Sequence, residues 1–349
     1  MYLSKPGILI SGATGFVGKY VIRKLVTLSS YDIIVIVRNP IKLEKVLRKE
    51  YLKNLKIIHG DLLKYEDIKF IEKQLRILNS DIKIVINLVG GGPLTINYNI
   101  ENEIMDLNFT TLKNLVKILI NSNKLNNVKI FIHLSSLAAA GALNPEERFH
   151  ASMICHPVLP YERAKYLGEV FLRKIATYYK QTKFIVLRLP QIYGSESKEF
   201  ISLIKIIEKG IFPLVPNKVG TLPLIYVDEV ADIIRYIVDH YEIIYNKMHE
   251  NFKIFMLCEG NYSYTNLVNM VRKTFGKGGY ISVPYELMYL AAFFIENVFK
   301  LLNKNEPFNT YRLKSFCKRR IVEDNFAEYF NYKYKYNLIN FLMDIRNGQ

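Results

Sequence analysis

Two hydrophobic periodicities alternate along the first two-thirds of the chain. Short runs rich in Ile and Val predict strands, and longer stretches with apolar residues three or four positions apart predict helices. Strands that are apolar at every position are expected where helices cover both faces of a sheet. The alternation therefore predicts an α/β fold with a doubly wound parallel sheet. The predicted strands are Gly7–Ile10, Ile33–Val37, Lys56–His59, Ile84–Leu88, Lys129–Leu134 and Phe184–Leu189, and the predicted helices are Gly15–Leu28, Ile41–Leu52, Asp67–Leu75, Glu101–Ser122 and Tyr161–Tyr179.

The alternation of predicted strands and helices changes after Gly194, which indicates a second structural unit. Residues 195–225 contain a helical pattern and a proline-rich loop, whereas 226–243 is again typical of a helix on the main sheet. We therefore predict a first domain of residues 1–194, to which 226–258 returns. Residues 195–225 and 259–349 would form a smaller, interleaved C-terminal substrate domain.

A glycine-rich turn joins the first strand to the first helix. Gly12, Gly15 and Gly18 permit a tight turn and the close approach of a pyrophosphate to the helix N-terminus. In this strand–turn–helix context the motif predicts a Rossmann-type, NAD(P)-binding domain, although a glycine-rich turn without a ligand remains the alternative. The intervening candidate cofactor-binding residues are Thr14, Phe16 and Val17.

The ends of the next strands carry further candidate cofactor-binding residues. Arg38 follows the second strand, where an NAD-preferring domain usually has an acidic residue that binds the ribose hydroxyls. An arginine can instead pair with a 2′-phosphate, so NADP is favoured over NAD, the alternative being a surface arginine beside a turn. Asp61 either accepts a hydrogen bond from an adenine amino group or caps the next helix. The remaining candidates at these strand ends are Leu62, Leu88, Val89 and Gly90.

The strongest catalytic signal is a tyrosine and a lysine one helical turn apart. Tyr161 and Lys165 share one helix face, where an ammonium group would lower the pKa of the phenol. Ser135 and Ser136 end the fifth predicted strand, and a hydroxyl there can hold a substrate oxygen beside the phenol. The three residue types together predict proton transfer to or from a substrate oxygen.

With these motifs, residues 7–240 resemble the extended short-chain dehydrogenase/reductase superfamily, the NAD-dependent epimerase/dehydratase group. The resemblance implies that Tyr161 is the acid/base and that Lys165 lowers its pKa and binds the nicotinamide ribose. It implies that Ser136 positions substrate and that Asn108 is the family's helix asparagine. It also places the segment from Pro190 through Ile192 to Tyr193 beside the nicotinamide, and it implies a homodimer through the helices Glu101–Ser122 and Tyr161–Tyr179.

Departures from the family pattern narrow the range of expected reactions and substrates. Sugar-nucleotide dehydratases carry an Asp-Glu pair where this chain has Leu137 and Ala138, so dehydration is not expected. Gln191 and Leu222 replace an Asn and an Arg that are usual in sugar-nucleotide epimerases. The segment around Leu222 is more similar to the branch of 3β-hydroxysteroid dehydrogenases and dihydroflavonol reductases. We therefore expect an NADP-dependent oxidoreductase acting on an alcohol or carbonyl carbon of a small, apolar substrate. The alternatives are a nucleotide-sugar epimerase that retains NAD and a non-catalytic dinucleotide-binding protein.

Composition adds limits on location and partners. The formal net charge of +16 suits anionic partners, but no nucleic-acid-binding module accompanies it. The three cysteines, Cys155, Cys258 and Cys317, are far apart and show no metal-ligand spacing, and the first strand begins too early for a signal peptide. We therefore expect a cytoplasmic protein with no metal site.

One apolar segment and three histidines have two interpretations each. Residues 285–302 are apolar on most faces, which favours a buried helix lining an apolar substrate pocket. The alternative is a helix that docks at a membrane surface with the help of the basic cluster 312–320. His133 is interpreted as a hydrogen-bonded core residue, whereas His150 and His156 lie in a loop where they could touch substrate.

Overall fold

A computed structural model describes residues 5–95 and 97–348. Its largest element is a sheet of seven parallel strands, which confirms the predicted α/β fold. Each predicted strand is present to within a few residues. The strands are β1 (Pro6–Ser11), β2 (Asp32–Val37), β3 (Leu55–His59), β4 (Asp81–Asn87), β5 (Ile130–Ser136), β6 (Arg148–Phe149), β7 (Lys183–Leu189), β8 (Gln191–Tyr193), β9 (Phe212–Leu214), β10 (Thr221–Tyr226), β11 (Phe252–Met256), β12 (Gly260–Ser263), β13 (Tyr280–Ser282) and β14 (Ile321–Val322).

The strand order in the seven-stranded sheet is β11-β7-β5-β4-β1-β2-β3. The chain winds outward in one direction through β2 and β3 and then in the other direction from β4 onward. This reversal leaves a crevice at the carboxyl ends of β1 and β4, which is where open α/β sheets bind ligands. The sheet order therefore places a binding crevice directly at the glycine-rich turn.

The helices cover both faces of this sheet and build the smaller unit beside it. They are α1 (Phe16–Leu25), α2 (Pro40–Val46), α3 (Lys49–Leu52), α4 (Tyr65–Ile77), α5 (Glu101–Met105), α6 (Thr111–Asn121), α7 (Pro160–Tyr178), α8 (Lys198–Glu208), α9 (Val227–Asp239), α10 (Tyr241–Lys247), α11 (Tyr264–Phe275), α12 (Tyr285–Leu301), α13 (Thr310–Phe316), α14 (Asn325–Phe330) and α15 (Leu338–Arg346). No helix in the part of the chain that the structure describes is both long and apolar enough to cross a membrane.

Side chains of alternate strand residues create a separate core on each face of the sheet. Ile8 and Ile10 of β1 belong to the core that packs against α1 and α9. Leu9, between them, belongs to the core beneath α4, α6 and α7. The strands are therefore apolar at nearly every position because both of their faces are buried.

Two predicted helices are interrupted. The segment predicted as Glu101–Ser122 contains a π-helical turn, Asp106–Thr110, between α5 and α6. Asn108 lies in this turn, and its amide nitrogen donates to the Ile104 carbonyl at 2.8 Å, a side-chain bond of the kind that widens a helix locally. The segment predicted as Ile41–Leu52 divides into α2 and α3 because Leu47 and Arg48 have extended backbone.

The smaller unit has its own core between α8, α11 and α15, with Tyr193 at its centre. A three-stranded sheet of β12, β10 and β8 connects it to the carboxyl end of β7. One part of the predicted C-terminal domain packs elsewhere, because Phe326 and Phe330 of α14 are buried in a core of the seven-stranded sheet. The chain thus returns to the first domain at α14 before α15 joins the core of the smaller unit.

A buried ion pair fastens α7 to the sheet. Arg188 on β7 donates from Nε and Nη2 to the two carboxylate oxygens of Glu169 on α7, at 2.9 and 2.6 Å. Ser135 on β5 donates to the same carboxylate at 2.6 Å. Both charged side chains are almost completely buried. Since Glu169 is one helical turn beyond Lys165, the pair also fixes the rotation of α7 about its axis.

Replacing Arg188 by leucine should destabilise the fold by about 3–5 kcal/mol, because Glu169 would keep a buried charge without its partner. The double variant Glu169→Leu/Arg188→Leu should regain part of that loss. Urea unfolding monitored by circular dichroism measures both free energies of unfolding. Arg148→Leu, which breaks an exposed pair with Glu323, is the control and should cost less than about 1 kcal/mol. Equal losses for the Arg188 and Arg148 variants would contradict the prediction.

Candidate active site

The glycine-rich turn has the geometry that the motif predicts. Gly12 has φ +82°, and a Cβ there would lie 2.7 Å from backbone atoms of Leu88 and Val89. A Cβ on Gly18 would collide with the Gly12 carbonyl oxygen. The helix α1 begins at Phe16 with no side-chain cap and no acidic residue in its first turn, so its N–H groups face the crevice uncapped. The turn therefore fits a pyrophosphate at the helix N-terminus.

A cavity of about 530 Å³ opens at this turn and runs along the carboxyl ends of β1, β2, β3 and β4. Its size suits the adenosine diphosphate half of a dinucleotide, since ligand pockets are typically about 300–1,000 Å³. Nine predicted cofactor-binding residues line it: Gly12, Thr14, Gly15, Arg38, Asp61, Leu62, Leu88, Val89 and Gly90.

Three residues of the motif do not line this cavity. Gly18 is buried where α1 crosses the Gly12 carbonyl, so its lack of a side chain serves helix packing. Val17 packs against the core of the seven-stranded sheet. The Phe16 ring lies edge-on to Tyr20 at 6.0 Å between centroids. These side chains shape the turn, and only their backbone is available to a phosphate.

The far end of the cavity carries two cations. Arg38 and Lys42 line it together, and the Arg38 side chain is 67% exposed. Asp61 lies 3.9 Å from Arg38, and it also accepts a hydrogen bond from the Leu63 amide at 3.0 Å. Asp61 thus lines the cavity and holds the turn before α4, but it does not cap that helix, whose N-cap residue is Lys64. Lys42 was not predicted as a cofactor-binding residue, although its position four residues after Arg38 could have indicated it.

The predicted catalytic residues lie together just beyond Gly90. Tyr161 and Lys165 occupy the first turns of α7, with the Lys165 ammonium 5.9 Å from the centre of the Tyr161 ring. The Lys165 ammonium donates to the Leu134 carbonyl at 3.1 Å. Ser136 ends β5, and its hydroxyl acts on the Tyr161 phenol by lowering its pKa. The three side chains can therefore serve one reacting oxygen.

The pKa of Tyr161 differs from the sequence prediction. Burial raises the pKa of the phenol above its usual value near 10, and the Ser136 hydroxyl opposes only part of this effect. Burial lowers the pKa of Lys165 to about 8, with Glu169 acting in the opposite direction. The predicted lowering of the Tyr161 pKa by Lys165 is not found, because Lys165 is directed at a backbone carbonyl and desolvation of the phenol dominates.

Asn108 joins the π-helical turn to the loop after β4. Its side-chain oxygen accepts from the Gly91 amide and its nitrogen donates to the Gly91 carbonyl, both at 2.8 Å. A Cβ on Gly90 would lie 2.9 Å from the Asn108 oxygen and would collide with the Lys165 ammonium. Gly90 therefore allows the cofactor loop, Asn108 and Lys165 to meet at one point.

A second cavity of about 390 Å³ lies between α8, α12 and α13. Gln191, which stands between the predicted nicotinamide-side residues Pro190 and Ile192, is part of its wall. Pro190 itself is buried after β7, and Ile192 packs against the sheet core. Ten of the twelve wall residues are apolar or aromatic: Phe200, Leu203, Ile206, Phe212, Pro213, Leu222, Tyr264, Met288, Phe308 and Phe316.

The surroundings of the three histidines agree only in part with their interpretation from the sequence. His133 is buried, and its Nδ1 interacts with the Asn87 side-chain nitrogen at 3.1 Å. Its Nε2 has no hydrogen-bond partner among residues 5–95 and 97–348, so this core histidine is only half satisfied. Burial holds the pKa of His133 well below 6.5, and the nearby Lys165 acts in the same direction. His150 is engaged by Glu146 and Ser152, and His156 is exposed.

Replacing Gly15 by alanine should weaken NADPH binding about tenfold or more without unfolding the protein. Gly15 has φ −75°, and its new methyl would meet only the Gly12 oxygen at 3.4 Å, so the backbone accepts it. The methyl would stand where the pyrophosphate must approach. Fluorescence titration with NADPH checks the affinity, and thermal unfolding checks the fold. Gly279→Ala, remote from both cavities, is the control, and unchanged affinity in the Gly15 variant would refute the pyrophosphate contact.

Comparison with known structures agrees with this architecture. UDP-glucose 4-epimerase from Thermotoga maritima superposes with a TM-score of 0.66 at 18% identity, covering 97% of this chain and 96% of that one. The UDP-Glc/GlcNAc 4-epimerase of Campylobacter jejuni gives 0.70 at 15% identity, with 98% of both chains covered. The dTDP-glucose 4,6-dehydratase of Bacillus anthracis, in complex with NAD, gives 0.65 at 14% identity over 98% and 96%. At these identities the likeness concerns the fold.

Comparison of the sequence with known sequences identifies a family in addition to the fold. No curated protein matches the chain significantly in sequence. A family model does match, namely the NAD dependent epimerase/dehydratase family, over residues 8–249. That span contains the glycine-rich turn, the cavity at the sheet crevice and the residues around Tyr161. The chain therefore belongs to the NAD dependent epimerase/dehydratase family, whose members are enzymes that use a nicotinamide dinucleotide.

Proposed function

We propose that the protein is an NADP-dependent oxidoreductase that reduces a carbonyl carbon, or oxidises the matching alcohol, of a small apolar substrate. The observation that carries the proposal is the second cavity, whose wall is apolar except for Gln191 and Glu199. Binding sites of this composition favour hydrophobic ligands with few polar groups. Gln191 connects this cavity to the segment that the family resemblance places beside the nicotinamide.

The raised pKa of Tyr161 supports a role as proton donor. A phenol with a raised pKa stays protonated at neutral pH and can give its proton to a carbonyl oxygen that becomes an alkoxide. Ser136, at the end of β5, would hold that oxygen in place. Lys165, with a pKa of about 8, is mostly charged at neutral pH, and its ammonium lies 5.9 Å from the centre of the Tyr161 ring. A proton from solvent then restores the phenol.

The cofactor would lie across the crevice, with its pyrophosphate on the glycine-rich turn and its nicotinamide ribose near Lys165. The bound nicotinamide supplies or accepts a hydride at the substrate carbon. Arg38 and Lys42 at the adenosine end support a 2′-phosphate, since β2 ends with no carboxylate to bind the ribose hydroxyls.

A nucleotide-sugar epimerase is the second candidate. The similar solved structures include epimerases in complex with UDP-glucose and with NAD. Against it, Leu222 lines the apolar cavity where an arginine is usual in epimerases, and Gln191 replaces an asparagine. Leu137 and Ala138, which replace the acid pair of dehydratases, lie in a short turn after β5, and the Leu137 side chain packs into an apolar cluster. Dehydration is therefore not part of the proposal.

A homodimer through α5, α6 and α7 remains part of the proposal. Leu167 and Val170 on α7 are large apolar side chains that are substantially exposed in the single chain. Their exposure supports a partner on this face.

Tyr161→Phe should lower the rate of NADPH-dependent reduction about a thousandfold, because the substrate oxygen would lose its proton donor. NADPH affinity should change less than about twofold, since the phenol oxygen adds little to dinucleotide binding. A panel of apolar ketones and aldehydes, followed by NADPH absorbance, identifies the reaction and compares the variants. Tyr178→Phe, at the exposed end of α7, is the control. Undiminished turnover in Tyr161→Phe would refute the mechanism, and turnover of nucleotide sugars without added cofactor would favour the epimerase.

Arg38→Gln should weaken NADPH binding about tenfold and leave NADH binding nearly unchanged, because only NADPH has the 2′-phosphate that Arg38 would pair with. Dissociation constants from fluorescence titration check this. Arg48→Gln removes an exposed charge outside the cavity and serves as the control. An equal effect of Arg38→Gln on both cofactors, or tighter NADH binding by the unaltered protein, would contradict NADP preference.

A further inference from the structure

The helix α12 is apolar on its outer face as well as its inner one. Met288 and Ala292 form its buried side. The opposite side carries five large apolar residues at intervals of three or four, a spacing that aligns them along one face. Their exposure ranges from 49% to 85% of the side-chain surface. This outer stripe consists of Leu287, Leu290, Phe294, Val298 and Leu301.

Exposure of this kind is unusual for a helix of a globular protein. A surface helix normally presents polar residues opposite its buried face, and a contiguous exposed apolar patch marks an interaction site. Phe293 and Leu302 extend the outer stripe at its edge and at its end. Tyr280 and Ile281, in the strand just before the helix, are also about half exposed. The outer stripe is therefore the centre of a larger apolar surface.

Positive charges lie at both ends of the outer stripe. Lys218 lies over the Tyr285 ring at 4.0 Å, at the N-terminal end of α12. Lys300 and Lys304 are exposed at its C-terminal end. These lysines form the cationic rim of the outer stripe.

The acidic residues of this region are mostly turned inward. Glu296 accepts hydrogen bonds from the amide and hydroxyl of Thr310, and Glu306 is held by Thr95. Of the acidic residues on α12, only Glu286 is exposed.

The predicted basic cluster, residues 312–320, contributes less positive charge to this surface than its sequence suggested. Arg312 donates to backbone carbonyls, and the Nε of Arg320 is buried.

We propose that the outer stripe of α12 docks on the surface of an anionic lipid bilayer. The apolar side chains would enter the boundary between headgroups and acyl chains, and the cationic rim would meet the anionic headgroups. The helix lies on the surface and does not cross the bilayer, since it has only 17 residues.

The charge pattern favours lipid over a second copy of the chain. Two copies that met through the outer stripe would bring their cationic rims together, which costs free energy. From Leu287 to Leu301 the stripe is about 21 Å long, and it is about 10 Å wide. It thus covers roughly a quarter of the ~800 Å² that each partner contributes to a standard protein interface.

Flotation of the purified full chain with lipid vesicles tests the proposal. The protein should float with phosphatidylcholine vesicles that contain phosphatidylserine and bind much less to vesicles of phosphatidylcholine alone. Phe294→Glu should lower the bound fraction about tenfold or more. Ile243→Glu makes the same charge change at a residue that is 66% exposed, like Phe294, but lies on α10. This control should bind like the unaltered protein.

A second variant tests the cationic rim independently. Lys300→Gln/Lys304→Gln should reduce binding to the anionic vesicles about tenfold without altering thermal unfolding. The proposal is overturned if the unaltered protein floats with neither vesicle. It is also overturned if the Phe294 and Ile243 variants behave alike. Self-association that depends on Phe294, without vesicle binding, would assign the stripe to a second copy of the chain instead.

Discussion

The buried ion pair between Glu169 and Arg188 is the interaction on which the candidate active site depends most. It joins α7 to β7, and Ser135 ties the same carboxylate to β5. Two buried charges are tolerated only because each meets its partner at short distance and shares further hydrogen bonds. The arrangement sets the rotation of α7, so that Tyr161 and Lys165 reach the strand end that carries Ser136. Without this ion pair, Tyr161, Lys165 and Ser136 would not be held close enough together to act on the same substrate oxygen.

The structure has two cavities of different chemistry. The crevice at the sheet is built from backbone amides, glycines and the cations Arg38 and Lys42. The cavity in the smaller unit is built from aromatic and aliphatic side chains, with Gln191 at the boundary. The polar crevice suits a dinucleotide, and the apolar cavity suits a substrate with few polar groups. Met288 of α12 belongs to the apolar cavity, while Phe294 of the same helix faces outward, so one helix serves both the pocket and the outer surface.

Local patterns in the sequence predicted the strands of the first two-thirds well, because each strand is buried on both faces and therefore apolar throughout. They predicted a smaller unit but assigned few of its elements. Its core is assembled from α8, α11 and α15, which are distant in sequence, and α14 packs back on the large sheet. The interruption at Asn108 was hidden because it depends on side-chain bonds to Ile104 and to Gly91, a residue of another loop.

The sequence by itself determined the parallel sheet, the glycine-rich turn and the pairing of Tyr161 with Lys165, because each rests on spacing within one element or one connection. The tertiary structure alone decided the direction of the Tyr161 pKa, the partners of Glu169 and the exposure of α12. Each of these depends on what surrounds a side chain from other parts of the chain. Burial raises the pKa of Tyr161, and the outer face of α12 stays uncovered because no other described element packs on it. Spacing can place two groups on one helix face, but it cannot show which face the rest of the fold will bury.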